Sequence, residues 1–204
     1  MENRKYSVIV FDLGNVLIPF DYSIMMNRLE LVQEGLGDKF MNHYKENYHI
    51  HRKFERGELT EDEFIHLMLH PCNGSLDRET FCRYYSEIFS VNEDVAALLP
   101  ELKKKYKVVL LSNTNSIHRE YGYKQYGFLK YFDKLILSHE AGAVKPEPEI
   151  YKAVEAFTQA RPEEHIFIDD VLEYVEGAKK MGWDAVQFTS CAQLVEDLKA
   201  RGIL

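Results

Sequence analysis

The chain has few cysteines, fewer basic than acidic residues and no long apolar run. Its three cysteines, Cys72, Cys82 and Cys191, are widely spaced and form no C-x-x-C pair. This excludes a disulfide framework or a zinc knuckle and favours reduced thiols. The 33 acidic and 25 basic residues give a net charge of −8. A nucleic-acid partner is therefore not expected, because sequence-independent binding needs a basic face.

The apolar segments are short. The run at Val8–Phe11 leads directly into an acid, which is not the pattern of a signal peptide. No stretch approaches the roughly 18 apolar residues of a membrane span. At 46% hydrophobic and 28% charged residues, the composition is that of a globular protein and not of a disordered one. We therefore expect a cytoplasmic protein without a membrane partner.

Apolar segments rich in β-branched and aromatic residues alternate with segments of helical periodicity. The predicted strands are 6–11, 107–111, 134–137, 165–168 and 185–188. The predicted helices after residue 92 are 93–105, 115–126, 148–159, 172–181 and a terminal helix. This alternation predicts an α/β fold, with a parallel sheet and helices on both of its faces.

Residues 22–90 have a different character. They are rich in Tyr, His, Met, Glu and Arg, and their apolar residues recur at helical spacing. Thr60 and Glu63 form a capping-box pattern before an apolar run. The segment predicts a bundle of about four helices. The simplest division is an α/β core of residues 1–17 and 93–204, split by a helical insertion at 18–92.

Polar residues follow the predicted strands at their carboxyl ends or lie in the loops beyond. They are Asp12, Ser112, Asn113, Lys145, Asp169 and Asp170. In open parallel sheets this edge carries the active site. Three carboxylates in one place repel each other unless a cation compensates, and a hard divalent ion, Mg²⁺ above all, prefers oxygen ligands.

The same residues suit phosphoryl chemistry. Ser112, Asn113 and Lys145 are donors for the oxygens of a bound phosphate. Asp12 lies where a carboxylate can attack phosphorus in line and form an aspartyl phosphate. Each residue alone is typical of a turn or a helix cap. Their joint occurrence at strand ends is far more specific.

Four segments carry a family resemblance: FDLGNVL at 11–17, LSNT at 111–114, KP at 145–146 and IDD at 168–170. With them the chain resembles the haloacid dehalogenase-like superfamily. The resemblance implies a Rossmann-like core, a helical C1 cap and a magnesium-dependent phosphatase. The DLGNV spelling is similar to that of bacterial sugar-phosphate phosphatases, including those acting on α-D-glucose 1-phosphate. The implied metal ligands are Asp12, the backbone carbonyl of Gly14, Asp170 and Asp169, with Asp12 as nucleophile and Ser112, Asn113 and Lys145 on the phosphate.

The chain departs from the family pattern at two positions. Most phosphatases of the family have a proton-donating Asp two residues after the nucleophile, where this chain has Gly14. Asp21 is the nearest downstream carboxylate, although an N-cap is its commoner role. Tyr174 occupies a position at which members often have Asn. Without the donor, we expect anomeric, acyl or aryl phosphates to be better substrates than primary alkyl phosphates.

Three functions are compatible with these residues. The first is a phosphatase of a small phosphorylated metabolite, with a sugar phosphate as the expected partner. The second is a 2-haloacid dehalogenase, in which Asp12 attacks carbon and no metal is needed. The third is a catalytically weak phosphate-binding or regulatory module. The adjacent Asp169 and Asp170 favour the first, because paired acids are costly without a cation.

Overall fold

A five-stranded parallel sheet forms the centre of the computed structural model, which describes residues 5–204. Its strands are β1 (Val8–Phe11), β2 (Lys107–Ser112), β3 (Lys134–Leu137), β4 (His165–Asp169) and β5 (Asp184–Gln187). Their order in the sheet is β3-β2-β1-β4-β5, and every neighbouring pair is parallel. The predicted fold class is confirmed. The predicted strand 6–11 begins two residues later, and β5 lies one residue earlier than expected.

Five α-helices lie between residues 22 and 86. They are α1 (Tyr22–Val32), α2 (Leu36–Glu46), α3 (Tyr48–Glu55), α4 (Glu61–Leu69) and α5 (Arg78–Ser86). About four were expected. The predicted capping box of Thr60 and Glu63 starts α4. Asn47 separates α2 from α3 with a non-helical backbone conformation (φ −112°, ψ 26°).

These helices bury an apolar cluster of their own, which includes Met25, Phe40, Phe64 and Phe81. Two neighbouring segments connect them to the sheet. Asn92 N–H donates to the carbonyl of Leu17 (2.8 Å), and Ser90 N–H donates to that of Pro19 (3.0 Å). The helices therefore lie beyond the carboxyl end of β1. The boundaries 18 and 92 of the insertion stay a prediction.

The remaining α-helices lie before β2 and after β3, β4 and β5. They are α6 (Glu93–Ala96), α7 (Leu99–Lys103), α8 (Ser138–Ala141), α9 (Pro148–Thr158), α10 (Leu172–Lys180) and α11 (Cys191–Ala200). The prediction of one helix over 93–105 was wrong. Pro100, in the first turn of α7, has no N–H to continue the ladder from α6. Part of the helix predicted at 115–126 is a π-helix at His118–Tyr123.

Apolar layers cover both faces of the sheet, because successive side chains of a strand point to opposite faces. Ile9 and Phe11 belong to one buried cluster. Val8 and Val10 belong to another, which includes Ile150 of α9. Helices on both faces were predicted and are confirmed. No helix among residues 5–204 combines the length and the apolar character needed to cross a membrane.

Candidate active site

Three carboxylates meet at the carboxyl ends of β1 and β4. Asp12 follows β1 directly, Asp169 is the last residue of β4, and Asp170 comes next. Because the two strands are neighbours with Phe11 opposite Ile168, their ends bring these acids together. One oxygen of each carboxylate lies within 4.8 Å of those of the other two. The topology of the sheet therefore brings the three carboxylates close together, as the sequence predicts.

Lys145 lies between two of these acids. Its Nζ is 2.7 Å from Asp12 Oδ1 and 2.6 Å from Asp169 Oδ2, and the side chain is 1% exposed. Burial opposes its charge, but the attraction of both carboxylates raises the lysine pKa above its ordinary value. Burial also raises the pKa of Asp12 above its ordinary value, against the opposing attraction of Lys145. The base of the site is thus a dense group of charges.

The donor set fits a hard divalent cation. The three carboxylates outnumber the single lysine among them, and oxygen is the ligand atom that Mg²⁺ and Ca²⁺ prefer. Asn15, in a left-handed conformation (φ 54°), donates from Nδ2 to Asp170 Oδ2 at 3.1 Å. This bond orients the outer carboxylate. Asp12, Asp169 and Asp170 could therefore hold a metal ion.

Asn113 makes a two-point contact with the backbone of Lys145. The Lys145 N–H donates to Asn113 Oδ1 (2.7 Å), and Asn113 Nδ2 donates to the Lys145 carbonyl (3.2 Å). The amide side chain thus positions the loop that carries the lysine. Ser112, the last residue of β2, is buried, and both residues line the same cavity as Asp12. Their predicted binding of phosphate stays a prediction.

The two departures from the family pattern have clear positions. Gly14 lines the cavity, and a Cβ there would lie 3.5 Å from Phe20 Cε1, an ordinary contact. Tyr174 places its ring 5.0 Å from the Lys145 ammonium, in cation–π range. Asp21 is exposed and caps α1 by accepting the Ser23 N–H at 2.8 Å. Its structural role is therefore an N-cap.

A cavity of about 340 Å³ joins the strand ends to the inserted helices. Besides Asp12, Gly14, Ser112, Asn113, Lys145 and Asp170, its wall includes Tyr44, Tyr48, His51, Arg52, Glu55, His118 and Tyr174. The last seven of these residues were not predicted from the sequence to line the site. The available signal was the spacing of residues 48, 51, 52 and 55, which places them on one face of α3.

His118, in the π-helix, is a buried neutral imidazole. It is 7% exposed and stacks on Tyr85 with ring centroids 4.2 Å apart. Burial and the neighbouring His51 lower its pKa to about 3, although Glu55 opposes this shift. Protonation of His118 is therefore strongly disfavoured in the folded chain.

The low pKa of His118 predicts loss of stability in acid. Below about pH 6.5, the ordinary histidine pKa, the imidazole of His118 binds a proton in the unfolded chain but stays neutral in the folded chain. The contribution of His118 is thus complete above pH 6.5 and decreases toward pH 3, with a slope of about 1.4 kcal/mol per pH unit. We expect His118→Phe to remove this slope. The measurement is the free energy of unfolding of both proteins, from urea unfolding between pH 7 and 5. An equal dependence of this free energy on pH in the two proteins would contradict the prediction.

Comparisons with known proteins agree with this architecture. Residues 6–182 match the model of the haloacid dehalogenase-like hydrolase family. D-ribitol-5-phosphate phosphatase of Bacteroides thetaiotaomicron is 30% identical over 190 residues, which cover 88% of this chain and 90% of the relative. A wild-type family enzyme of the same organism, solved with magnesium and inorganic phosphate, has a TM-score of 0.77 and 28% identity, covering 90% of this chain and 94% of that one.

A third protein shares the fold alone. L-2-haloacid dehalogenase of Xanthobacter autotrophicus has a TM-score of 0.64 at 20% identity, covering 98% of this chain and 84% of that one. The family match spans most of the chain, and it includes the strand ends that carry Asp12, Ser112 and the Asp169–Asp170 pair. The chain therefore belongs to the haloacid dehalogenase-like hydrolase family.

Proposed function

We propose that this chain is a magnesium-dependent phosphatase that hydrolyses a small phosphorylated sugar or polyol through an aspartyl phosphate on Asp12. The observation that carries the proposal is the group of three carboxylates and one lysine at the base of a cavity of ligand size. The D-ribitol-5-phosphate phosphatase relative and the family structure with magnesium and phosphate support it.

The residues that would hold Mg²⁺ are Asp12, Asp170, the backbone carbonyl of Gly14 and Asp169, directly or through water. A bound Mg²⁺ supplies positive charge that offsets the negative charge of the phosphoryl group. The Lys145 ammonium has three N–H donors and uses two of them on Asp12 and Asp169. Its third N–H is therefore available to a phosphoryl oxygen, together with Ser112 and Asn113.

The chemistry then proceeds in two displacements at phosphorus. An oxygen of Asp12 forms a bond to phosphorus, and the bond to the ester oxygen breaks with its electron pair on the leaving oxygen, which takes a proton from water. A water molecule next attacks the phosphorus of the aspartyl phosphate, which releases phosphate and restores the carboxylate. The hydrogen bond from Lys145 holds the attacking carboxylate in place.

Metal removal tests the proposed function. We expect the protein to hydrolyse 4-nitrophenyl phosphate when Mg²⁺ is present and to lose this activity in EDTA. Excess Mg²⁺ should restore it, because the carboxylates would again have a cation between them. The measurement is the initial rate of nitrophenol release. Full activity after dialysis against EDTA would contradict a metal-dependent mechanism.

The same preparation separates the two alternative functions. A 2-haloacid dehalogenase would release halide from 2-chloropropionate with equal rates in EDTA and in Mg²⁺. A phosphate-binding module would bind vanadate and hydrolyse no ester. Either result would replace the phosphatase proposal.

A further inference from the structure

A chain of polar contacts leads from the lysine loop into the inserted helices. Arg52 Nη2 donates to the backbone carbonyl of Lys145 at 3.4 Å, and its Nη1 donates to Glu55 Oε2 at 2.8 Å. Glu55 Oε1 lies 3.3 Å from His51 Nε2, and His51 Nδ1 lies 2.8 Å from the Tyr85 hydroxyl. Helix α3 therefore connects the predicted phosphate end of the cavity to its far wall.

Glu55 is a buried carboxylate in that wall. It is 7% exposed. Burial opposes its ionisation, but the hydrogen bond and charge of His51 and the charge of Arg52 lower its pKa below the ordinary value. A carboxylate has about four acceptor positions, and the two contacts above leave others unused. Glu55 can thus accept hydrogen bonds from a hydroxyl group in the cavity.

His118 supplies a donor in the same wall. Among residues 5–204, its Nε2 is buried and has no hydrogen-bond partner. Asn115 Oδ1 accepts the backbone N–H of His118 (2.9 Å), so the amide nitrogen of Asn115 is the atom that lies 3.3 Å from His118 Nδ1. Nδ1 is then the acceptor, and the proton of the neutral ring is on Nε2. The backbone carbonyl of Tyr85 has the smallest of the effects on the pKa of this ring, so it is a weak acceptor, and an oxygen of a bound molecule would be a better one.

We propose that Glu55 and His118 form a hydroxyl-recognition subsite, which binds the leaving group of a polyhydroxylated phosphate ester. The inference rests on the phosphatase function proposed above. A hydroxyl both donates and accepts, so a sugar or a polyol can donate to Glu55 and accept from His118 through different hydroxyls. A nitrophenyl group has no hydroxyl donor and offers only weakly accepting nitro oxygens. The subsite thus selects the hydroxyl-rich part of the substrate, at a distance from the phosphoryl group.

The two residues bind and do not transfer protons. Burial keeps the pKa of His118 at about 3, so the ring is neutral near pH 7 and is a poor acid for a leaving oxygen. Both Glu55 contacts hold its charged form. The proposal therefore predicts a larger effect on the hydrolysis of hydroxyl-rich esters than on that of aryl esters.

The test compares esters with and without hydroxyls. The probes are α-D-glucose 1-phosphate, D-ribitol 5-phosphate and 4-nitrophenyl phosphate. We expect Glu55→Gln to lower kcat/KM for the first two by about 10- to 100-fold and His118→Phe by about tenfold, with a smaller loss for 4-nitrophenyl phosphate. Glu58→Gln is the matched control, since Glu58 is exposed just beyond α3, and it should change none of the three.

Two results would overturn the subsite. Equal losses on all three esters would mean that Glu55 acts through Arg52 on the Lys145 loop. Unchanged turnover of the hydroxyl-rich esters by both variants would mean that Glu55 and His118 do not bind the leaving group. If the wild type hydrolyses no ester, the phosphatase function fails. Calorimetry then measures the affinity of Asp12→Asn protein for the same esters, with and without Glu55→Gln. A loss of affinity for the hydroxyl-rich esters that exceeds the loss for the aryl ester would support the subsite, and equal losses or none would overturn it.

Discussion

Asp12→Asn is expected to abolish ester hydrolysis, with a loss on the order of 10⁴-fold or more in kcat. The amide has the shape of the carboxylate but cannot form an acyl phosphate. It also removes the negative charge 2.7 Å from the Lys145 ammonium. The measurement is turnover of 4-nitrophenyl phosphate with Mg²⁺, together with mass spectrometry of acid-quenched wild type, which should carry one phosphoryl group on the peptide that contains Asp12.

Asp21→Asn is the matched control for this loss. Asp21 is the next carboxylate after Asp12 along the chain, and it is exposed at the start of α1. Asn is also a good N-cap, so this variant should keep both its helix and its activity. Wild-type turnover in Asp12→Asn, or a phosphoryl group trapped on a different residue, would contradict the role of Asp12 as nucleophile.

The sheet could be predicted because its signals are local. Buried parallel strands consist of short, nearly continuous apolar runs, and 107–111, 134–137 and 165–168 have this composition after their first residue. The separation of α2 from α3 could not be read in this way, because residues 40–55 continue a helical pattern through Asn47. The π-helix at His118–Tyr123 could not be predicted from the sequence either. Its backbone bond from Lys124 N–H to the Arg119 carbonyl spans five residues, and no residue type specifies it.

The place of the candidate site was predictable for a topological reason. In a parallel sheet the carboxyl ends of β1, β2 and β4 must lie at one edge, so Asp12, Ser112 and Asp170 could be placed together from the sequence alone. Their roles as nucleophile, phosphate ligand and metal ligand stay predictions. The partners of these groups could not be predicted, because the contact of Asn113 with the Lys145 backbone depends on how two loops approach each other.

The far wall of the cavity depends on tertiary packing. Arg52 and Glu55 of helix α3 line the cavity. Phe54 of the same helix stacks on Phe64 of α4, with ring centroids 4.2 Å apart. In the sequence, the aromatic and histidine residues of this segment are typical of an apolar core. Only the packing of α3 against α4 decides which face remains free for a ligand. This is why the far wall of the cavity was the least predictable part of the candidate site.

Gly14→Asp is expected to raise the hydrolysis of alkyl phosphates by about 10²-fold or more, within the usual range of general acid catalysis. Position 14 lines the cavity two residues after the nucleophile, and its φ is outside the left-handed region. A Cβ there meets only the edge of the Phe20 ring, at 3.5 Å. The carboxyl group can therefore enter the cavity without backbone strain and protonate a leaving oxygen.

The size of the gain should depend on the leaving group. Nitrophenolate departs without a proton, so kcat for 4-nitrophenyl phosphate should change little while kcat for D-ribitol 5-phosphate rises. Gly14→Asn adds an equal volume without an acid and should leave both rates near those of the wild type. A similar gain with Asn would assign the effect to Phe20 and the shape of the cavity. Equal gains on both esters with Asp would contradict proton donation, because an acid helps only a leaving oxygen that needs one.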